Sequence, residues 1–306
     1  MRDDLAHPTA ATQDGSSASL AGAPTAGDAR GSAEREHRPR ETENPRNVCR
    51  MIATREVTYD ADGLTMVAHQ AQPHGEGPWP AVLIGHDGIG LHDYQRRRAD
   101  DLAEHGYVAL AMDYHGGELF SGNPEAMLAR VMPLIADADR MQAVGRAALD
   151  VLLAVPGANP DRLAALGYGA GGSIVLELAR AGVPFKAVAV IHPGLRDASP
   201  EDWANVSGAF LLCTGSEDPL CSPDRVLAFT RALQDAGVDW RVTIYGGAKH
   251  AFWARPTNPD GSPNGGTTDP NPTVPGVGYH PTHTPRAWRA VLDLFDETIG
   301  TLSVTA

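Results

Sequence analysis

The chain has 306 residues, 42% of them hydrophobic, and a formal net charge of −13. That supplies a sizeable core for one large domain or two ordinary ones and excludes wholesale disorder. The acidic balance, with Lys186 and Lys249 the only lysines, argues against a nucleic-acid groove, which needs clustered basic side chains.

Residues 1–50 are rich in Ala, Gly, Ser, Pro and Thr with mixed charge and no apolar periodicity. Such a composition cannot bury enough surface to offset ordering entropy, so this stretch is expected to be a disordered extension, with Met51 a candidate true start. A domain over 51–306 follows. Strands are predicted over 52–59, 64–68 and, after Pro80, 81–85. A helix over 94–105 leads to a strand over 107–112, and 124–155 carries helical periodicity as two helices. Further strands are read at 163–167, 187–191, 209–213 and 240–245, with helices at 173–180, 223–236 and 285–299. Short apolar runs alternating with helices of this length predict an α/β protein, three layers with a mostly parallel sheet. The stretch 258–279, dense in Pro, Gly, Asn and Thr, reads either as a site-lining loop or as a surface insertion.

Gly167-Tyr168-Gly169-Ala170-Gly171-Gly172 is the most informative segment. An apolar strand precedes it and a helix follows, the layout of a nucleophile elbow, G-x-nucleophile-x-G. An elbow carries Ser or Cys at its centre, then an acid and a His further along the chain; Asp218 and His250 come in that order. The central position, however, is Gly169. The same residues satisfy the dinucleotide pattern G-x-G-x-x-G. That reading also needs an acid at the tip of the next strand, which ends Val190-Ile191-His192-Pro193 instead. Close helix–sheet packing is a third reading.

Four landmarks in order carry a resemblance: His86-Asp87-Gly88-Ile89-Gly90-Leu91, the glycine turn, Gly215-Ser216-Glu217-Asp218-Pro219, and 245–252 with His250. From about Thr54 to the final helix the chain resembles the dienelactone hydrolase family of α/β hydrolases. The resemblance implies an α/β-hydrolase fold and a Cys–His–Asp triad, with an early acid that holds the resting thiol. On this sequence the base is His250, its orienting acid Asp218, the early acid Asp87, and the oxyanion donors the backbone N–H groups of Gly88 and Ala170. The nucleophile falls on Gly169, where the pattern breaks, because glycine cannot attack a carbonyl.

Blander readings stand beside these. Asp218 before Pro219 and Asp87 before Gly88 suit turns, and His250 suits a satisfied core or loop histidine. Cys221 lies near Asp218 but lacks an elbow. His86, His115 and His192 have no ligand-like spacing, so no metal site is expected. Cys49, Cys213 and Cys221 form neither a disulfide framework nor a zinc pattern, which fits free thiols in a reducing, cytoplasmic setting. No apolar run approaches the roughly 20 residues that span a bilayer. The expectation is therefore a hydrolase of a small ester, lactone or related carbonyl compound, without cofactor, nucleic-acid or membrane partner. A silent binding protein, and a lyase or cyclase using His250 as acid/base, are the alternatives.

Overall fold

A computed structural model describes residues 51–196, 199–253 and 276–300. The predicted disordered stretch 1–50, and positions 258–275 of the predicted loop, lie outside the described residues.

Eight strands form one sheet in the order β1-β2-β4-β3-β5-β6-β7-β8. They are β1 (Ile52–Ala61), β2 (Leu64–Pro73), β3 (Trp79–Gly85), β4 (Val108–Met112), β5 (Ala158–Tyr168), β6 (Ala187–Ile191), β7 (Ala209–Gly215) and β8 (Trp240–Tyr245). The β1–β2 and β2–β4 pairs are antiparallel, and every pair from β4 to β8 is parallel. The helices are α1 (Asp93–Glu104), α2 (Pro124–Ile135), α3 (Ala138–Leu153), α4 (Gly169–Arg180), α5 (Pro223–Asp235) and α6 (His283–Thr298).

The central strands are buried along their whole length because helices cover both faces. Successive side chains of β3 enter opposite cores. Ala81 and Leu83 join Met141, Val144, Ile174 and Leu178 from α3 and α4, whereas Val82 and Ile84 join Leu102, Val291 and Phe295 from α1 and α6. Fully burying a Leu or Ile in this way contributes about 1.5–3 kcal/mol.

The sequence placed every strand and long helix but shortened some. β2 runs to Pro73 because the β1 hairpin pairs in register as far as Ile52 opposite Pro73. β5 starts at Ala158, where Trp79 and Pro80 pair before a register shift. The helical stretch 124–155 divides at Asp137, whose carboxylate accepts from the Arg140 N–H (3.0 Å) and starts α3. A short 3-10 helix, Pro200–Trp203, was not anticipated.

Candidate active site

The glycine turn is tighter than the six residues its sequence suggested: β5 ends at Tyr168 and α4 begins at Gly169. Gly169 takes φ +50°, the left-handed region, which turns strand into helix in one step. The surrounding glycines answer a different demand. A Cβ on Gly171 would stand 2.2 Å from the His86 carbonyl oxygen, and the Gly171 N–H donates to that same oxygen at 2.9 Å. Gly167 faces the same demand, since a Cβ there would stand 2.5 Å from Gly172 Cα, so these two glycines come from backbone lying on backbone where α4 meets the ends of β3 and β5. Gly169 differs, since a Cβ there clears all backbone and would meet His192 Cε1 at 3.3 Å, Asp87 Cβ at 3.5 Å and His192 Nδ1 at 3.7 Å.

Around this point the loops after β3, β6, β7 and β8 converge, at the carboxyl ends of parallel strands where open α/β sheets hold their ligands. Asp218 follows β7 and His250 follows β8. His250 Nδ1 lies 3.1 and 3.0 Å from the two Asp218 carboxylate oxygens. The carboxylate also accepts from the N–H groups of Leu220 (2.9 Å) and Cys221 (3.2 Å) and from the Thr214 hydroxyl (3.3 Å). Burial pushes the Asp218 pKa upward, but the hydrogen bond and charge of His250 outweigh it and hold the group below the usual carboxylate range. The backbone of His250 is tied to the segment returning from the long loop, through His250 N–H to Gly276 (2.8 Å) and Gly278 N–H to His250 (3.0 Å).

Asp87 lies beside Gly169, with its carboxylate engaged elsewhere. One oxygen accepts from the Ile89 N–H (2.7 Å), and the other faces Gln95 Nε2 (3.1 Å) and His92 Nε2 (3.4 Å). Burial raises its pKa, yet the His92 hydrogen bond and the His92 and His86 charges carry it below the usual range. The next peptide is fixed from behind, because the Tyr114 hydroxyl donates to the Asp87 carbonyl (2.7 Å). In a trans peptide the Gly88 N–H points the opposite way, away from Tyr114. His115 Nε2 lies 3.0 Å from the Gly88 carbonyl. Ala170 stands in the first turn of α4, where helix N–H groups lack intrahelical partners, and no side chain caps that end.

A family model described as the dienelactone hydrolase family matches residues 66–299. The chain belongs to that family. A protein named "probable 2-oxo-3-(5-oxofuran-2-ylidene)propanoate lactonase" from a Bradyrhizobium species is 29% identical over 211 residues, 66% of this chain and 84% of the relative. The solved structure titled "m3DLH" matches with TM-score 0.71 and 35% identity over 81% of this chain and 98% of its own. A dienelactone hydrolase-like promiscuous phosphotriesterase from metagenomic libraries matches with TM-score 0.71 and 30% identity over the same shares. The fold is thus the α/β-hydrolase fold of dienelactone hydrolases.

For a dienelactone hydrolase family member, the residue that sequence reasoning passed over is His192. It follows β6 with φ +42°, is 1% exposed, and presents its ring to the point where a side chain at 169 would begin. Its ring centre lies 4.4 Å from that of His250, edge to face. The Trp253 indole N–H donates to its Nε2. Its pKa is pushed down to about 3, by burial first and by the His250 charge second. One signal was available in the sequence: His192 caps an apolar run predicted to be the strand beside the elbow strand. Cys221 is buried, donates to the Pro193 carbonyl (2.9 Å), and has its thiol pushed up to about 12 by burial, which leaves it unreactive. Among the described residues no group of three His, Cys, Asp or Glu could hold a metal, and no helix is long and apolar enough to cross a membrane.

Proposed function

We propose that this family member hydrolyses small esters or lactones by direct attack of water, with His250 as general base and Asp218 as the carboxylate that orients it. The observation that carries this reading is the His250–Asp218 pair, 3.0 Å apart, beside an elbow whose central residue has no side chain. With Nδ1–H donated to Asp218, Nε2 of His250 keeps its lone pair for a proton. Attack on the acyl carbon passes that proton to Nε2, and the N–H groups of Gly88 and Ala170 receive the developing oxyanion. Collapse expels the alkoxide, which takes the proton back from His250. Acid and alcohol leave, and no bond to the protein forms. Removing a triad nucleophile leaves roughly 10³–10⁴-fold acceleration over water from binding and oxyanion donors alone, so such a route is physically open.

The relative named as a lactonase supports lactones in the test panel, and the promiscuous phosphotriesterase supports an activated phosphotriester. Wild type and His250→Ala are assayed on activated esters, five- and six-membered lactones and that phosphotriester. A lost general base lowers kcat by about 10²–10⁴-fold. Binding of panel members without turnover identifies a silent binding protein, the reading that Gly169 favours. His250-dependent conversion without uptake of solvent oxygen identifies a lyase or cyclase.

A further inference from the structure

His192 is built into place at some cost. Its backbone sits in the left-handed region, which strains a non-glycine residue. Its N–H is pinned to the Cys213 carbonyl (2.8 Å). The ring plane lies 10° from that of Trp253, so the indole N–H meets the in-plane lone pair of Nε2. Trp253 is itself wedged against His92, Tyr94 and Tyr168, at ring separations of 5.5, 4.4 and 5.4 Å.

This contact decides the tautomer. An indole nitrogen only donates, so Nε2 must accept and the single proton of the neutral ring resides on Nδ1. That Nδ1 is buried and has no hydrogen-bond partner among the described residues. A buried donor left without a partner carries an uncompensated desolvation cost, so a fixed, strained histidine with such a donor points to a ligand atom. Nδ1 lies 3.7 Å from the position of the missing Cβ of Gly169, and the ring centre of His250 lies 4.4 Å from that of His192. The atom it meets therefore stands where a nucleophile would stand.

We propose that His192 is a catalytic residue whose Nδ1–H holds the attacking water over Gly169 while His250 takes that water's proton. The inference rests on the reading of His250 as general base. The water oxygen accepts from His192, gives one hydrogen to His250 Nε2 and bonds the acyl carbon; the ester C–O bond breaks when the resulting oxyanion collapses, and the leaving alkoxide takes the hydrogen from His250. His192 keeps its proton throughout. Its neutrality matters, because the imidazolium forming on His250 then meets no second positive charge 4.4 Å away. Gly169 belongs to the same device: a thiol side chain would start 3.3 Å from Cε1 of His192 and take the place of the water.

The test uses His192→Leu, His192→Asn and His250→Ala on the ester and lactone panel. Asn tolerates positive φ and offers an amide N–H near the place of Nδ1. Loss of the donor in the Leu variant lowers kcat by about 10–100-fold with KM changing less than about threefold, and Asn recovers to within about tenfold of wild type. A Leu variant as active as wild type, beside a crippled His250→Ala, overturns the proposal and leaves the general base standing. A His250→Ala variant as active as wild type, or a wild type silent across the panel, overturns both. Nitrogen NMR of the imidazoles reads the tautomer without turnover, and so covers a Leu variant that folds poorly. The proton resides on Nδ1 with Nε2 bare from pH 5 to 8 in wild type, and the two tautomers mix in Trp253→Phe; a proton on Nε2, or a charged ring at pH 6, overturns the donor.

Discussion

The side chain absent from Gly169 would begin 3.3 Å from Cε1 of His192. Elbow residue and imidazole thus compete for one small volume, and the glycine settles the competition in favour of the ring. Both residues hold positive φ, +50° and +42°. The two positive-φ positions face one another across the site, the glycine without strain and the histidine with it.

Gly169→Cys places a thiol where the proposed reading puts the nucleophile. The backbone already has the elbow geometry, and a Cβ there clears all main-chain atoms. The substitution strains φ by about 1–2 kcal/mol and displaces the His192 ring by a few tenths of an ångström. Esterase kcat/KM on activated esters is expected to rise by at least about tenfold, through an acyl-enzyme. In a Cys49→Ser background, mass spectrometry after treatment with a thiol-directed electrophile should find the adduct at position 169 and none in the parent. Cys213 and Cys221 stay unlabelled, since both are buried and burial pushes both thiols up to about 12. A folded variant with neither adduct nor added turnover would show that this turn is no nucleophile elbow.

Asp218→Asn keeps the shape of the acid and removes its charge. The amide then either donates towards Nδ1 of His250 or faces it with an oxygen, and in neither case stabilises the imidazolium. The expected loss in kcat is about 10²-fold or more. Combining it with His250→Ala should add little, because the two side chains act as one unit at 3.0 Å. Full additivity in the double-mutant cycle would separate them.

The layers and strand order of this fold follow from features the sequence displays openly. Apolar runs such as 81–85 and 187–191 cannot be solvent-exposed, and helices of matching length between them force parallel pairing. The hydrogen-bonded pairing of Asp218 with His250 was likewise foreshadowed, because the two follow strand runs in a fixed order. His192 was not. Its role comes from Trp253, 61 residues away, which fixes its proton, and from the empty side-chain position at Gly169. Neither relationship has a local pattern. The reason for Gly171, a carbonyl 2.2 Å from where its Cβ would be, is invisible for the same reason.

The two glycines should respond in opposite ways to one methyl group. Gly171→Ala drives a Cβ into the His86 carbonyl and forces α4 away from the end of β3. It should destabilise the domain by about 3 kcal/mol or more, or prevent folding. Gly169→Ala meets no atom closer than 3.3 Å and carries mainly the φ strain, about 1–2 kcal/mol. It should fold and yet lose activity, because the methyl occupies the place of the water. Denaturant midpoints of the two variants give the order directly, and equal destabilisation would show that the two glycines are not placed for different reasons.

Acid should destabilise this protein well before its buried carboxylates titrate. Burial, reinforced by a neighbouring histidine, pushes both His192 and His115 down to about 3, while an unfolded chain protonates histidine near 6.5. Between those values the unfolded state binds more protons, so stability is full above about pH 6.5 and falls as pH drops towards 3. Each histidine contributes a slope of up to about 1.4 kcal/mol per pH unit across that window. Asp87 and Asp218, held below the usual carboxylate range, add their losses at lower pH, where the unfolded chain's carboxylates take up protons before the folded ones do. Urea midpoints at pH 7.5, 6.5, 5.5 and 4.5 should fall progressively after the first interval. His115→Gln should flatten the slope by about one proton. A midpoint unchanged between pH 6.5 and 4.5 would mean that neither imidazole is held neutral, and the assignment of the His192 proton to Nδ1 would lose its foundation.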